Sequence, residues 1–143
     1  ELLHRIEYLM KAECEKEGVA LHTKLQSDTL ELRADPQLIE QVLINLTKNA
    51  LRALRKVEDP TLKYKAGISM DGRMYIEIID NGPGIKKEDQ EKIFIPFYST
   101  AGNDPDKGTG IGLSLSRQIM RIHGGALQVK SEPGKETVFT LKF

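Results

Sequence analysis

Residues 35–56 read DPQLIEQVLINLTKNALRALRK. Asp35 followed by Pro36 marks a helix start, an N-cap carboxylate with proline at the first helical position. Leu38, Ile39, Val42, Leu43, Leu46, Ala50, Ala53 and Leu54 then recur on one face, and the spacing predicts a helix to about Lys56. Asp59-Pro60 stops it. Gln41, Asn45 and Asn49 stand at i, i+4 and i+8 on a different side. Their amide oxygens are hard donors of the kind Mg²⁺ accepts, beside waters and phosphates. Taken alone, the feature is read more simply as a plain solvated polar face.

On the N-terminal side, Leu2, Leu3, Ile6, Leu9, Met10 and Cys14 recur at helical spacing until Gly18. Cys14 continues the apolar stripe, so packing explains it better than reactivity. Ala20 to Leu25 and Leu30 to Ala34 alternate like two short strands turned at Ser27-Asp28. On the C-terminal side, Leu62 to Met70 and Met74 to Ile79 form a strand pair turned at Asp71-Gly72. A short helix is expected over Gln90 to Ile95, and a longer one from Ile111 to Ile122, closed by His123-Gly124-Gly125. Two last strands, Ala126 to Ser131 and Thr137 to Phe143, turn at Pro133-Gly134. Strands interspersed with three main helices predict an α+β fold, a two-layer α/β sandwich with about three helices on one face of a mixed sheet.

A chain of 143 residues, 39% apolar and 29% charged, is sized for one domain with one core. Lys plus Arg and Asp plus Glu number 21 each, which supports neither general nucleic-acid attraction nor membrane contact by this chain. The single cysteine excludes an internal disulfide or cysteine metal cluster and points to a reducing compartment, hence a cytoplasmic domain. No apolar run approaches the ~20 residues of a membrane span. The chain opens at Glu1 without methionine, which reads as one domain of a longer protein, whose other parts could include membrane segments.

Three further motifs carry chemistry. Asp80 ends a strand containing Ile76, Ile78 and Ile79 and is followed by Gly82 and Gly84. A carboxylate there could accept the amine of an adenine, with bare backbone approaching the flat base. An ordinary Asp-Asn-Gly turn is the other reading. Gly108-Thr109-Gly110-Ile111-Gly112-Leu113 opens a helix, so its amides and the helix end could gather on an anion, or form only a turn. It matches neither the dinucleotide fingerprint nor a Walker A loop. Phe94-Ile95-Pro96-Phe97 makes a rigid apolar base, compatible with core packing, for the polar loop 98–110.

Together and in this order, the motifs resemble the ATPase domain shared by bacterial sensor histidine kinases, gyrase, Hsp90 and MutL, with the Bergerat-type ATP-binding fold. QVLINLTKNAL is similar to the asparagine box of the histidine kinases, DNGPGI to the first glycine box, FIPF to the phenylalanine box and GTGIGLSLS to the second glycine box. The resemblance covers residues 18–143, leaving 1–17 as an N-terminal helix that could lead from a dimerisation domain. It implies that Asn49 holds Mg²⁺, that Asn45 supports metal or phosphates, and that Arg52 lies near the phosphates. It implies that Asp80 binds the adenine amine between Gly82 and Gly84. Gly108, Gly110 and Gly112 would cradle phosphates, and Ile85, Phe97, Thr100, Thr109, Ile111 and Leu113 would border the nucleotide. Tyr98 to Lys107 would be a lid, with Lys107 either paired to the β- or γ-phosphate or a solvated loop lysine.

Two departures refine the expectation. Hydrolytic members carry a glutamate where this chain has Asn45; an amide cannot serve as a general base, so transfer to a protein is favoured over hydrolysis. Sensor kinases phosphorylate a helical histidine followed by an acidic residue and soon by proline; His4, His22 and His123 all lack that context. The expectation is an ATP- and Mg²⁺-dependent protein-histidine kinase domain. It would act on a histidine in a separate helical dimerisation and phosphotransfer domain of the same parent, with a response regulator downstream. A serine/threonine kinase of the anti-sigma-factor type and a non-catalytic nucleotide-binding module are the alternatives.

Overall fold

The computed structural model describes residues 1–98 and 110–143. The helix α1 spans Leu2–Lys16 and buries Leu3, Ile6, Met10 and Cys14. It ends in a Schellman cap: Gly18 takes φ +69°, the N–H of Val19 reaches the carbonyl of Cys14, and that of Gly18 reaches Glu15. Strand β1 (Ala20–Leu25) follows, then α2 (Pro36–Ala53), β2 (Thr61–Ile68) and β3 (Met74–Asp80). Helix α3 (Gly112–Ile122), β4 (Ala126–Ser131) and β5 (Thr137–Lys142) complete the chain.

The strands form one five-stranded sheet in the order β1-β2-β3-β5-β4. β1 pairs parallel with β2 and the other pairs are antiparallel, so the sheet is mixed. Its inner face is set by alternation: Leu62, Tyr64 and Ala66 on β2, Ile76 and Ile78 on β3, Phe139 and Leu141 on β5 and Leu127 on β4 are all buried. The helices cover this face, with α2 between α1 and α3. The core is therefore one apolar layer between sheet and helices.

The N-cap of α2 is as its sequence requires: Asp35 Oδ1 accepts the N–H groups of Gln37 and Leu38. The helix stops at Ala53, three residues short of Lys56, because Leu54 is the C-cap and Lys56 turns left-handed at φ +67°. Residues 30–34 are not a strand. β1 takes its single partner from β2, and Leu30, Leu32 and Ala34 pack against the core on the way to α2. The short helix expected over 90–95 is instead a pair of 3-10 turns, Lys87–Asp89 and Lys92–Phe94. Among the described residues no helix is long and apolar enough to cross a membrane.

Candidate functional site

The inner face of the sheet is mostly apolar, with the hydroxyls of Thr23 and Tyr64 in one row, and its last row is the most polar. There Leu62, Asp80, Thr137 and Ser131 stand opposite one another across β2, β3, β5 and β4. Asp80 is 3% exposed. Its Oδ1 accepts the N–H of Gly82 at 2.9 Å, the one hydrogen bond of this carboxylate among the described residues. Burial pushes its pKa up to about 6, against the lowering by the Gly82 N–H and with a smaller push from the charge of Glu136. A buried acid whose lone pairs are not all used among the described residues has capacity for a further donor.

Space for that donor is kept by glycine. A Cβ on Gly82 would meet Asp80 Oδ1 at 2.7 Å and the Ala53 Cβ and carbonyl at 3.4 Å. Gly84 has φ +80°, and a Cβ there would overlap the carbonyl oxygen of Glu132. The loop after β3 is thus squeezed between the C-terminal end of α2 and the β4–β5 turn.

Helix α2 links this place to a second one. Asn45, Asn49 and Ala53 follow one another at i, i+4 and i+8, spanning about 12 Å of helix. At the far end Asn45 Nδ2 lies 3.5 Å from Ser116 Oγ, and Gly112 at the start of α3 faces the Asn45 side chain. Asn49 therefore lies midway between the Asp80 loop and the first turn of α3. Asn45, Asn49 and Arg52 are half-buried; Gln41 is exposed. Ile111, the N-cap of α3, provides no side-chain cap, so the leading N–H groups of this 11-residue helix are left for another acceptor.

Gly110 turns at φ +75°, and a Cβ on it would come within 2.8 Å of the Cα of Phe97. The Phe97 N–H donates to the Gly110 carbonyl at 2.8 Å, and Phe97 itself is held at φ +66°. The two phenylalanines part company: Phe94 is buried, with the Arg117 guanidinium 4.2 Å from its ring centroid, while Phe97 is 79% exposed. Ile85 and Leu113 pack partly buried against the core, and Ile111 is exposed. Thr100, Lys107, Gly108 and Thr109, and with them most of the lid expected over 98–107, lie outside the described residues.

The histidines have no part in the site. His4 and His22 are exposed. His123 joins two helices: Nδ1 meets the Ile119 carbonyl at 2.8 Å, and Nε2 accepts the Asp35 N–H at 3.1 Å. Both nitrogens are used by the neutral tautomer. Sequence reading missed the polar row beside Asp80. Its signal was present, since the inward phases run Leu127-Val129-Ser131 and Thr137-Phe139-Leu141, each with its hydroxyl residue at the end beside the Pro133-Gly134 turn.

Comparison with known proteins agrees with this geometry. The family model for histidine kinase-, DNA gyrase B- and HSP90-like ATPases matches residues 34–143. The sensor histidine kinase ZraS of Salmonella typhimurium is 34% identical over 133 residues, which are 93% of this chain and 27% of ZraS. The chain thus spans about a quarter of the length of that relative. The catalytic domain of histidine kinase ThkA superposes with a TM-score of 0.83 at 30% identity, covering 99% of this chain and 90% of that one. ThkA is also known in complex with the response regulator protein TrrA. Full-length ShkA in complex with AMPPNP gives a TM-score of 0.85 at 26% identity, covering 99% of this chain and 28% of ShkA. From the matched residues and the geometry together, this chain belongs to the histidine kinase-, DNA gyrase B- and HSP90-like ATPase family.

Proposed function

We propose that this chain binds ATP with Mg²⁺ and is the catalytic domain of a sensor histidine kinase, passing the γ-phosphate to a histidine on a separate helical domain of its parent. The observation that carries the reading is the buried carboxylate of Asp80, with acceptor capacity left over beside Gly82. An adenine amine supplies the missing donor. The other end of the site, about 12 Å along α2, suits the phosphates, because the first turn of α3 presents bare N–H groups there.

Asn49 would hold the metal, as a single amide oxygen among waters and phosphates, and Asn45 would support the same group. The metal would supply neutralisation of phosphate charge. The chain's own residues bind the base, hold the phosphates in line and keep the nucleotide in one orientation, which is the greater part of catalysis in phosphoryl transfer. With an amide at position 45, no general base stands ready to activate water, and transfer to a protein acceptor prevails over hydrolysis. Residues 18–143 are the nucleotide-binding unit in this reading. The α1 end faces the dimerisation domain, and a response regulator takes the phosphoryl group onward. The parent is placed in the cytoplasm at least in this part, with or without a membrane anchor.

The test is calorimetric titration of the chain with ATP, ADP and GTP in the presence and absence of Mg²⁺, followed by transfer of label to an added helical domain of the parent. ATP binding in preference to GTP, with acid-labile label appearing on the added domain, is expected. Acid-stable label on serine or threonine would replace the histidine-kinase reading by the anti-sigma-factor type. No nucleotide binding would sink the reading altogether.

A further inference from the structure

Two residues of the polar row, Ser131 and Thr137, have no role in the site as built so far. Their hydroxyls lie 2.8 Å apart. Ser131 Oγ also accepts the N–H of Ile85 at 2.8 Å. From the opposite side Gln90, just after the first 3-10 turn, donates from its side-chain nitrogen to two carbonyls, Ile85 at 3.1 Å and Ser131 at 2.8 Å. Both backbone polar groups of Ile85 are thereby engaged, N–H by a hydroxyl and carbonyl by an amide. The loop is fixed again two residues earlier, where the Pro83 carbonyl accepts the N–H of Gly134 at 2.7 Å. Gly84, between these bonds, lies so close to Glu132 and Pro133 that no side chain would fit.

A loop that only had to turn would not need this. Asn-Gly-Pro-Gly turns readily unaided. Here its backbone is tied to β4, to the β4–β5 turn and to Gln90, and its Gly82 reaches Asp80. We propose that Gln90 and Ser131 are positioning residues for the nucleotide. Resting on the ATP reading, the inference is that they hold the backbone of Gly84 and Ile85 at the height where a purine can lie against it while its amine reaches Asp80. Neither side chain touches the base. Gln90 is suited to the task because both hydrogens of one amide nitrogen can serve two carbonyls. A glutamate of the same shape would turn lone pairs toward them.

The experiment is titration of Gln90→Glu, Ser131→Ala and Ser131→Thr with ATP and with ADP, beside the wild type, with the melting of each unliganded protein recorded. Gln90→Glu and Ser131→Ala should each weaken ATP by about tenfold, the scale of one lost hydrogen bond at a buried carbonyl or amide. ADP should weaken by the same factor, because the base is common to both. Ser131→Thr, which keeps the hydroxyl, should bind like the wild type, and unliganded melting of the other two variants should fall only by the few degrees that one hydrogen bond is worth, with unfolding still cooperative. Wild-type affinity in both Gln90→Glu and Ser131→Ala would overturn the proposal while leaving the ATP reading intact. Loss of affinity that follows a collapse in unliganded melting would overturn it too, as would equal loss in Ser131→Thr and Ser131→Ala. A wild type that binds no nucleotide removes the ATP reading itself.

Discussion

The Oδ1 of Asp80 accepts the N–H of Gly82 at 2.9 Å inside a layer where almost everything else is hydrocarbon. This bond leaves the carboxylate an acceptor with capacity to spare. Asp80→Asn keeps the shape but puts an NH₂ where, on the proposed reading, a donor from the base arrives. ATP affinity should fall by about 1–3 kcal/mol, the cost of a mismatched buried hydrogen bond. Calorimetry on the two proteins measures it, and equal affinity would remove Asp80 from base recognition.

The same residue makes two opposed pH dependences. Burial raises its pKa from 3.8 to about 6. The folded chain thus holds this proton more firmly than the unfolded one. In the ligand-free protein, its contribution to stability is full below the ordinary carboxylate value and is lost as pH rises through about 6. On the proposed reading ATP needs the ionised form as acceptor, so affinity should rise over that same interval. Melting curves and titrations between acid and neutral pH, each compared with Asp80→Asn, isolate the two trends. Parallel trends, or an Asp80→Asn protein with the same pH profile as wild type, would contradict this account.

Gly84→Ala should damage fold and site together. The position has φ +80°, and the new methyl would run into the backbone of Glu132. Left-handed strain alone costs about 1–3 kcal/mol, and displacement of the β4–β5 turn adds to it. Thermal melting should drop clearly and ATP binding with it. Gly72→Ala is the control: φ is +77° but nothing lies within 4 Å, so a smaller loss of stability and unchanged binding are expected.

Tyr64→Phe tests the core without touching the site. The Tyr64 hydroxyl lies 2.7 Å from Thr47 Oγ1, both residues are fully buried, and burial holds the phenol well above its ordinary pKa. Thr47 also bonds the Leu43 carbonyl at 2.7 Å, so it keeps a partner after the change. A loss of about 1 kcal/mol is expected in denaturant unfolding, with ATP affinity unchanged. A change in affinity would mean that core and site are coupled through α2.

His123→Leu should cost about 0.5–1 kcal/mol, because the exposed Asp35 N–H where α2 begins exchanges its acceptor for water. Incubation of wild type and variant with labelled ATP should give no acid-labile label in either. Label in the wild type that disappears in His123→Leu would make this histidine an acceptor rather than a tie between helices.

Elements with a local cause were legible from sequence. The α2 cap follows from Asp35-Pro36, the α1 cap from Gly18 and the hairpin turns from Gly72 and Gly134, each of which takes positive φ as a tight turn requires. The order of strands was not legible, because nothing near β5 says that it lies beside β3 rather than at an edge. The extra strand expected over 30–34 failed for the same reason: alternation shows which side chains face inward, but a strand also needs a neighbour. In the site, Asp80, Gly82 and Gly84 were readable from their types and spacing. Of Ser131 only the inward phase was readable; its bond to the Ile85 N–H and the bond of Gln90 to the Ser131 carbonyl were not, since those partners are backbone atoms 46 and 41 residues away.

The last strand of the sheet in chain order, Thr137–Lys142, lies between β3 and β4 rather than at the edge. A chain still emerging from a ribosome can therefore pair β1, β2 and β3, but β4 has no place in the sheet until β5 arrives to join them. The carboxylate and its glycines are made long before the hairpin that braces them. Competence to bind should consequently come late and in a single step, and a product cut short after Ser131 would carry every box of the motif yet hold no nucleotide.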